Sequence, residues 1–318
     1  MTTSVVIATY HADRVPDLLA TIDSLARQTS PAHEVIVAVD GNPDLASTLS
    51  RDLPDVTVVE NIHHAGAGGA RNSGASVASG DLVAFIDDDA VAAVDWIAQI
   101  EKAMTDARAI GVGGLIEPLW LDHPPRWFPT EFGWVIGCSH RGLPETRTAV
   151  RNVWAGNMAM RRDRFQAVGG FRADFGKQAD RSEPEETDLC IRAGRRWPNL
   201  IWVYDPRVRV LHRVPRARGR VGYFLRRCLY EGRGKAALAA HVGARDALTE
   251  EKAYVRHVLP RGMVDGAREL VSGGDLYGLM RTCAIVAGCI TAFVGYVPTR
   301  VRGQVQRRLR PYRGRRLG

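Results

Sequence analysis

The run Leu82-Val83-Ala84-Phe85-Ile86-Asp87-Asp88-Asp89 constrains this chain more than any other stretch. Five apolar residues rich in β-formers follow a Gly80-Asp81 turn, the pattern of a buried strand in a parallel sheet. The strand stops on three consecutive carboxylates. Three like charges cannot be buried together without strong counter-charge, so they either stand in water or hold a cation. Open α/β sheets bind ligands outside the carboxyl ends of their strands. Hard oxygen donors at such an end suit Mg2+ or Mn2+ beside substrate phosphates. An isolated triplet of this kind is commonly a solvated acidic turn, so the surrounding chain has to choose between the two.

That chain alternates strand and helix. Ser4 to Ala8 is an apolar strand ending at Thr9-Tyr10, and Asp17 to Gln28 puts Leu18, Ile22 and Leu25 on one helical face. Glu34 to Val39 is a second strand ending at Asp40-Gly41-Asn42, and Val56 to Val59 a third. Gly66 to Ala78 reads as a loop entering a helix. The pattern predicts an α/β fold with a doubly wound, mostly parallel sheet. Polar residues recur at the strand ends (Thr9, Tyr10, Asp40, Asp87 to Asp89), which points to one crevice served by several strands.

The glycine loop Gly66-Ala67-Gly68-Gly69-Ala70-Arg71 is not a dinucleotide fingerprint, because that motif follows the first strand and this one lies beyond residue 60. It fits a flexible helix entry that meets an anion, with Arg71 as a donor fork, or an ordinary surface helix. Gly111 to Gly114 reads as a strand or turn, and Pro118 to Trp134 as a packed irregular loop beside a pocket. Asn152 to Met160 is strand-like and is interrupted by Gly156-Asn157, as where a ligand approaches closely. The second acidic cluster runs from Glu183 to Asp188. It is either a helix start with acids complementing the dipole or the source of a general base. Leu200 to Tyr204 and Arg207 to Leu211 read as strands, and His212 at their end is open between metal ligand, core and surface roles.

Composition narrows the class. At 318 residues the chain exceeds what one core usually supports, so one large domain with an appendage is expected. Hydrophobic residues at 45% exclude extensive disorder. The net charge of +8 leaves nucleic acid, anionic lipid or phosphorylated substrates as partners. No nucleic-acid module accompanies that charge, which disfavours the first. Five scattered cysteines without a CxxC pair argue for reduced thiols in the cytoplasm. The N-terminus lacks the pattern of a cleaved secretion signal.

Taken together, the blocks Val5-Val6-Ile7-Ala8-Thr9-Tyr10, Asp40-Gly41, Ala70-Arg71-Asn72, Asp87-Asp88-Asp89, Trp154-Ala155-Gly156-Asn157, Val168-Gly169-Gly170-Phe171 and Glu185-Glu186-Thr187-Asp188-Leu189 resemble the family 2 glycosyltransferases over residues 4 to 215. More loosely, they resemble members that add a uronic acid or hexose to a polyprenyl-linked sugar. The resemblance implies the nucleotide-diphosphosugar (GT-A) fold and an inverting transfer from a nucleotide-diphosphate sugar, UDP-linked by expectation, with Mn2+ or Mg2+. It implies Thr9 and Tyr10 at the base, Asp40 bonded to it, Arg71 at the diphosphate, and Asp87 with Asp88 near the ribose. It implies Asp89, Asp87 and His212 at the metal, and Gly156 and Asn157 by the sugar. The family's Glu-Asp base motif here reads Glu185-Glu186. The implied base is therefore Glu186, with Glu185 and Asp188 in reserve. A nucleotidyltransferase on a similar sheet lacks support, because Thr9 to Asp13 is not the Gly-rich basic loop it needs. A non-catalytic, membrane-attached binding protein is disfavoured by the intact carboxylates.

Beyond residue 215 the character changes. Tyr223 to His241, Ala253 to Leu259 and Gly266 to Val271 read helical, and Cys283 to Val297 is almost wholly apolar. Those 15 residues are shorter than the ~20 that span a bilayer. Eight arginines and no acid follow, from Arg300 to Arg316. The expected organisation is a catalytic domain (1–215), a helical region lying on an anionic cytoplasmic membrane face (216–299) and a basic tail (300–318). The alternative for 283–297 is packing on protein.

Overall fold

The computed structural model describes residues 1–172, 177–178, 181–182 and 184–313, without the side chains of 173–183 and 302–313; Glu183 and the arginine side chains from Arg302 onward lie outside it. The chain opens with the expected alternation: β1 (Thr3–Thr9), α1 (Val15–Ala26), β2 (Glu34–Val39), α2 (Pro43–Asp52), β3 (Thr57–Glu60), α3 (Ala67–Val77) and β4 (Leu82–Asp87). There follow β5 (Ala90–Ala92), α4 (Trp96–Ala103), β6 (Ala109–Trp120), β7 (Thr148–Val150), β8 (Asn157–Arg161), α5 (Arg162–Val168), a short β9–β10 pair (Lys177–Gln178, Arg181–Ser182), α6 (Glu185–Arg196) and β11 (Ile201–Val214). The remainder is helical: α7 (Val221–Val242), α8 (Ala244–Ala247), α9 (Thr249–Ala253), a π-turn over Tyr254–Val258, α10 (Leu259–Gly273) and α11 (Leu276–Arg313).

The nine-stranded sheet runs β3-β2-β1-β4-β8-β6-β11-β5, with β7 also on β11. β1 to β4 are mutually parallel, and β8 lies antiparallel between β4 and β6. β1 alternates its two buried faces. Val5 and Ile7 meet Leu18 and Leu25 of α1 on one side, while Val6 shares the other with Phe85, Phe165, Phe171 and Leu189. Burial on both faces explains the near-continuous apolar runs of β1 and β4.

Three expectations need correction. Gly111 to Gly114 are a strand, one of the two readings, but that 12-residue strand, β6, runs on through Pro118 to Trp120, where an irregular loop was expected. The two runs around Asp205 are a single strand, β11, with a register shift between Asp205 and Arg209. That shift carries His212 forward to pair with Ala90, directly beyond the aspartates. The apolar run 283–297 is the middle of a 38-residue helix. Arg281 does not end it, because the guanidinium turns toward α10, pairs with Glu269 and donates to Arg126 O at 2.8 Å. Its stretch Leu276–Val301 is long and apolar enough to cross a membrane, by length and composition.

The C-terminal helices share the sheet's core. Phe224 and Cys228 of α7, Leu259 of α10 and Ile285 of α11 join the same buried cluster as Phe132 and Val135. Phe224 lies 5.2 to 5.8 Å from the rings of Trp127, Phe128 and Phe132. The Pro- and Trp-rich stretch is thus the packing layer between sheet and helices.

Candidate active site

The three aspartates leave the sheet at the end of β4, and each finds a guanidinium. Asp88 is buried, accepting from Arg14 Nε at 2.7 Å and Thr9 Oγ1 at 2.8 Å. Asp89, also buried, faces Arg14 Nη2 at 2.9 Å, Arg218 Nη2 at 3.3 Å and His212 Nε2 at 3.2 Å. Asp87 stays half-exposed and accepts from Arg71 Nη2 at 2.8 Å. The counter-charge that two buried carboxylates and a half-exposed third demand is therefore Arg14, Arg71 and Arg218. Burial pushes Asp89 up, but His212, Arg218 and Arg14 outweigh it and hold the carboxyl well below the usual carboxylate range. Asp88 goes the other way, since burial outweighs Arg14 and lifts it.

One ligand atom each from Asp87, Asp89 and His212 lies within 4.8 Å of the others. Two carboxylate oxygens and an imidazole nitrogen form a donor set that fits Mn2+ or Mg2+. His212 Nδ1 sits 3.7 Å from Cys138 Sγ, which leaves Nε2 as the nitrogen facing the aspartates. A glycine is required opposite Asp87, since a Cβ at Gly156 would fall 2.6 Å from Asp87 Oδ2.

The second acidic cluster opens α6 behind Pro184. Glu185 is buried and accepts from Arg71 Nη1 at 2.7 Å, so Arg71 bridges β4 to α6. Burial, with Glu186 and Asp87 adding to it, raises Glu185 to about 7 against the pull of Arg71. Glu186 is half-buried, and burial raises it too. Among the described residues Glu186 joins no ion pair.

Tyr10, Arg71, Asp87, Asp88, Asp89, Gly156, Glu185, Glu186 and His212 line one cavity of about 1460 Å³. Four expected site residues stand outside it. Thr9 is buried and donates to Asp88 instead of lining a base pocket. Asp40 accepts from Asn61 Nδ2 at 2.6 Å and Gly66 N at 2.7 Å, fastening the loop that enters α3. Asn157 is buried with its amide fully engaged: Oδ1 accepts from Trp96 Nε1, and Nδ2 donates to Leu115 O and Val208 O. Its side chain is a core bracket, not a sugar contact. Asp188 is buried against Arg192 at 2.7 Å, which removes it from reserve as a base. Arg71, expected at a diphosphate, is already forked between two carboxylates.

The sequence reading missed Arg14 and Arg218. The only available signal was electrostatic: a buried Asp triplet requires cations, and arginines stand five residues past Thr9 and six past His212. It also missed the rest of the cavity's wall, which includes Arg151, Glu231, Lys235 and Glu251. Glu231, Lys235 and Glu251 lie in helices that give no motif, and Arg151 in the segment between β7 and β8.

Two solved structures share the architecture. The mannosyltransferase PcManGT from Pyrobaculum calidifontis, in complex with GDP-Man and Mn2+, superposes with a TM-score of 0.55 at 19% identity, covering 91% of this chain and 86% of its own. GalNAc-T7 with UDP, GalNAc and Mn2+ gives 0.53 at 17%, covering 80% and 53%. At these identities the likeness establishes the fold alone: this is a GT-A glycosyltransferase fold. The sequence comparisons supply the family. The model described as glycosyl transferase family 2 matches residues 4–169. The glucosyl-dolichyl phosphate glucuronosyltransferase of Haloferax volcanii is 30% identical over 93% of this chain and 96% of its own. The succinoglycan biosynthesis protein ExoM of Rhizobium meliloti is 27% identical over 71% and 72%. The chain belongs to glycosyl transferase family 2 and is a glycosyltransferase. The nucleotidyltransferase and non-catalytic readings give way to that membership.

Proposed function

We propose that the protein transfers a sugar, with inversion, from a UDP-sugar to a hydroxyl of a lipid-linked acceptor at the cytoplasmic face of a membrane. The observation that carries this reading is the convergence of Asp87, Asp89 and His212 on the cavity that Glu186 also lines. Those three residues would hold Mn2+ or Mg2+. Such an ion, when bound, neutralises charge developing on a leaving diphosphate. Both structural neighbours were solved with Mn2+, which supports the same assignment.

The chain's own groups do the rest. Arg14 and Arg218 offset the charge of the buried Asp88 and Asp89 and hold them in place. Glu185 holds Arg71 in place rather than acting as base, since its carboxylate is already paired. Glu186 lines the cavity with no ion pair among the described residues and is the group that takes the acceptor hydroxyl's proton. Proton removal by one carboxylate base lets the acceptor hydroxyl attack the sugar directly, and a single displacement inverts the anomeric centre. The lipid acceptor is supported by the relative that acts on a glucosyl-dolichyl phosphate and by α11. That helix exposes Leu279, Met280, Val286, Ile290, Phe293 and Val297 at helical spacing. The division at about residues 215 and 299 is retained as a proposal of function: sheet for the donor, helices for the membrane, tail for anionic lipid.

Isothermal titration with UDP tests the donor side. Mn2+-dependent binding is expected, and Asp89→Ala should weaken it by at least about tenfold. Glu186→Gln should keep that binding while transfer falls by roughly 10²–10⁴. Metal-independent UDP binding would overturn the donor assignment, and full turnover by Glu186→Gln would overturn the base.

A further inference from the structure

The cavity that holds the aspartates is also lined by a charge cluster that the donor chemistry does not use. Lys235 of α7 places Nζ 2.7 Å from Glu251 Oε1 and 3.4 Å from Glu231 Oε1. Arg151, in the segment before β8, reaches the same Glu251 with both terminal nitrogens at 3.1 Å. It also donates to Asp246 O at 3.0 Å. All four side chains line the cavity that Glu186 lines, and none is more than 29% exposed. Glu186 feels two of them, Lys235 stabilising its charge and Glu231 opposing it. An aromatic group adjoins the cluster: His140 lies 6.0 Å from Trp154 and 4.9 Å from Tyr254, ring centre to ring centre, and all three line the same space.

Sequestering two cations and two carboxylates seldom stabilises a fold more than well-packed apolar groups would. A fixed, multidentate array of donors and acceptors beside aromatic rings is instead what orients a polyhydroxylated ligand. The charges also decide which ligand. A phosphate needs cations with unspent charge, whereas Arg151 and Lys235 are each matched by a carboxylate. Lys235 is held above its ordinary range, since Glu231 and Glu251 outweigh burial. Glu251 is brought down to about 2, because Lys235 and Arg151 outweigh burial. Burial keeps His140 below the imidazole range and so neutral. Of the other basic side chains lining the cavity, His257 and Arg261 are exposed, and Arg227 has a partner of its own.

We infer that Arg151, Glu231, Lys235 and Glu251, with Trp154, form an acceptor subsite for a saccharide ring, so the attacking group is a sugar hydroxyl and not the oxygen of a bare lipid phosphate. The inference rests on the transferase reading above. The acceptor oxygen bonds to the anomeric carbon as the bond from that carbon to the diphosphate oxygen breaks. The electron pair leaves with UDP, and the hydroxyl proton passes to Glu186.

The test titrates the full-length protein, with and without UDP and Mn2+, with octyl β-hexopyranosides of the gluco, galacto and manno series and with farnesyl phosphate. At least one octyl hexopyranoside should bind. Glu251→Gln, and separately Glu231→Gln, should weaken it by roughly tenfold, the loss expected for a hydrogen bond to a charged group. UDP affinity in each variant reports that the fold is intact. Binding of farnesyl phosphate with none of the sugars, or sugar affinity unmoved by both variants, would overturn the subsite. Failure of UDP to bind would sink the donor reading instead, while the nucleotide-free sugar titration still decides this wall.

Discussion

Arg71 is the residue on which the two acidic clusters meet, with one nitrogen on Asp87 and the other on Glu185. On the proposed assignment, its pairing with Glu185 leaves Glu186 as the carboxylate that accepts the acceptor's proton. Burial raises Glu186, Arg71 and Lys235 pull it back, and Glu231 pushes it further up. Transfer requires the ionised form, so kcat should fall on the acid side with an inflection above the ordinary glutamate value of about 4.3. Lys235→Met removes a stabilising cation and should move that inflection to higher pH; a shift to lower pH in the kcat profile would contradict the base assignment. At this scale the sequence was read well where chemistry demands a residue type and poorly where packing does. The Asp triplet stood out because carboxylates at a strand end announce a site, whereas His212 stayed open between three roles until the family resemblance placed it. Asn157 and Asp188 carry the same polar atoms, yet their bonds to Trp96 and Arg192 depend on partners that become neighbours only after folding.

Elements were legible in proportion to their local signal. β1, β2 and β4, buried on both faces, read directly from their apolar runs. β11 was divided at Asp205-Pro206 because a bulge looks like a turn when its partner strand is unknown. α11 was cut short because Arg281 carries a charge whose neutralising partners, Glu269 of α10 and Asp275, are brought to it only by the fold. Its packing is just as dependent on a neighbour. A Cβ on Gly232 of α7 would lie 1.9 Å from Ala292 O, so the two helix backbones touch. Gly232→Ala should force them apart and destabilise the protein by about 1–3 kcal/mol, the usual effect of overpacking. Gly194→Ala in α6 meets nothing within 4 Å and should instead stabilise by about 0.5–1 kcal/mol through helix propensity. Equal melting temperatures for the two variants would refute the close crossing.

Over the whole molecule, charge and apolar surface collect at the same end. α11 presents its exposed apolar stripe, and the chain then continues with arginines and no acid through Arg316. Co-sedimentation should show binding to vesicles containing phosphatidylglycerol, weaker binding to pure phosphatidylcholine, and loss with added salt as the Debye length contracts from about 10 Å at 0.1 M. Identical binding to both lipids at all salt concentrations would remove the electrostatic half of the membrane proposal.

The cavity between sheet and helices also separates two inheritances. The strand ends that meet the aspartates are spelled out before residue 90, whereas most of the charge cluster is spelled out after residue 220. Substitutions along α7 and α9 could redirect the enzyme to a different recipient without disturbing the chemistry of the departing nucleotide. Changes around β1 and β4 could alter the sugar delivered while leaving its destination as it was.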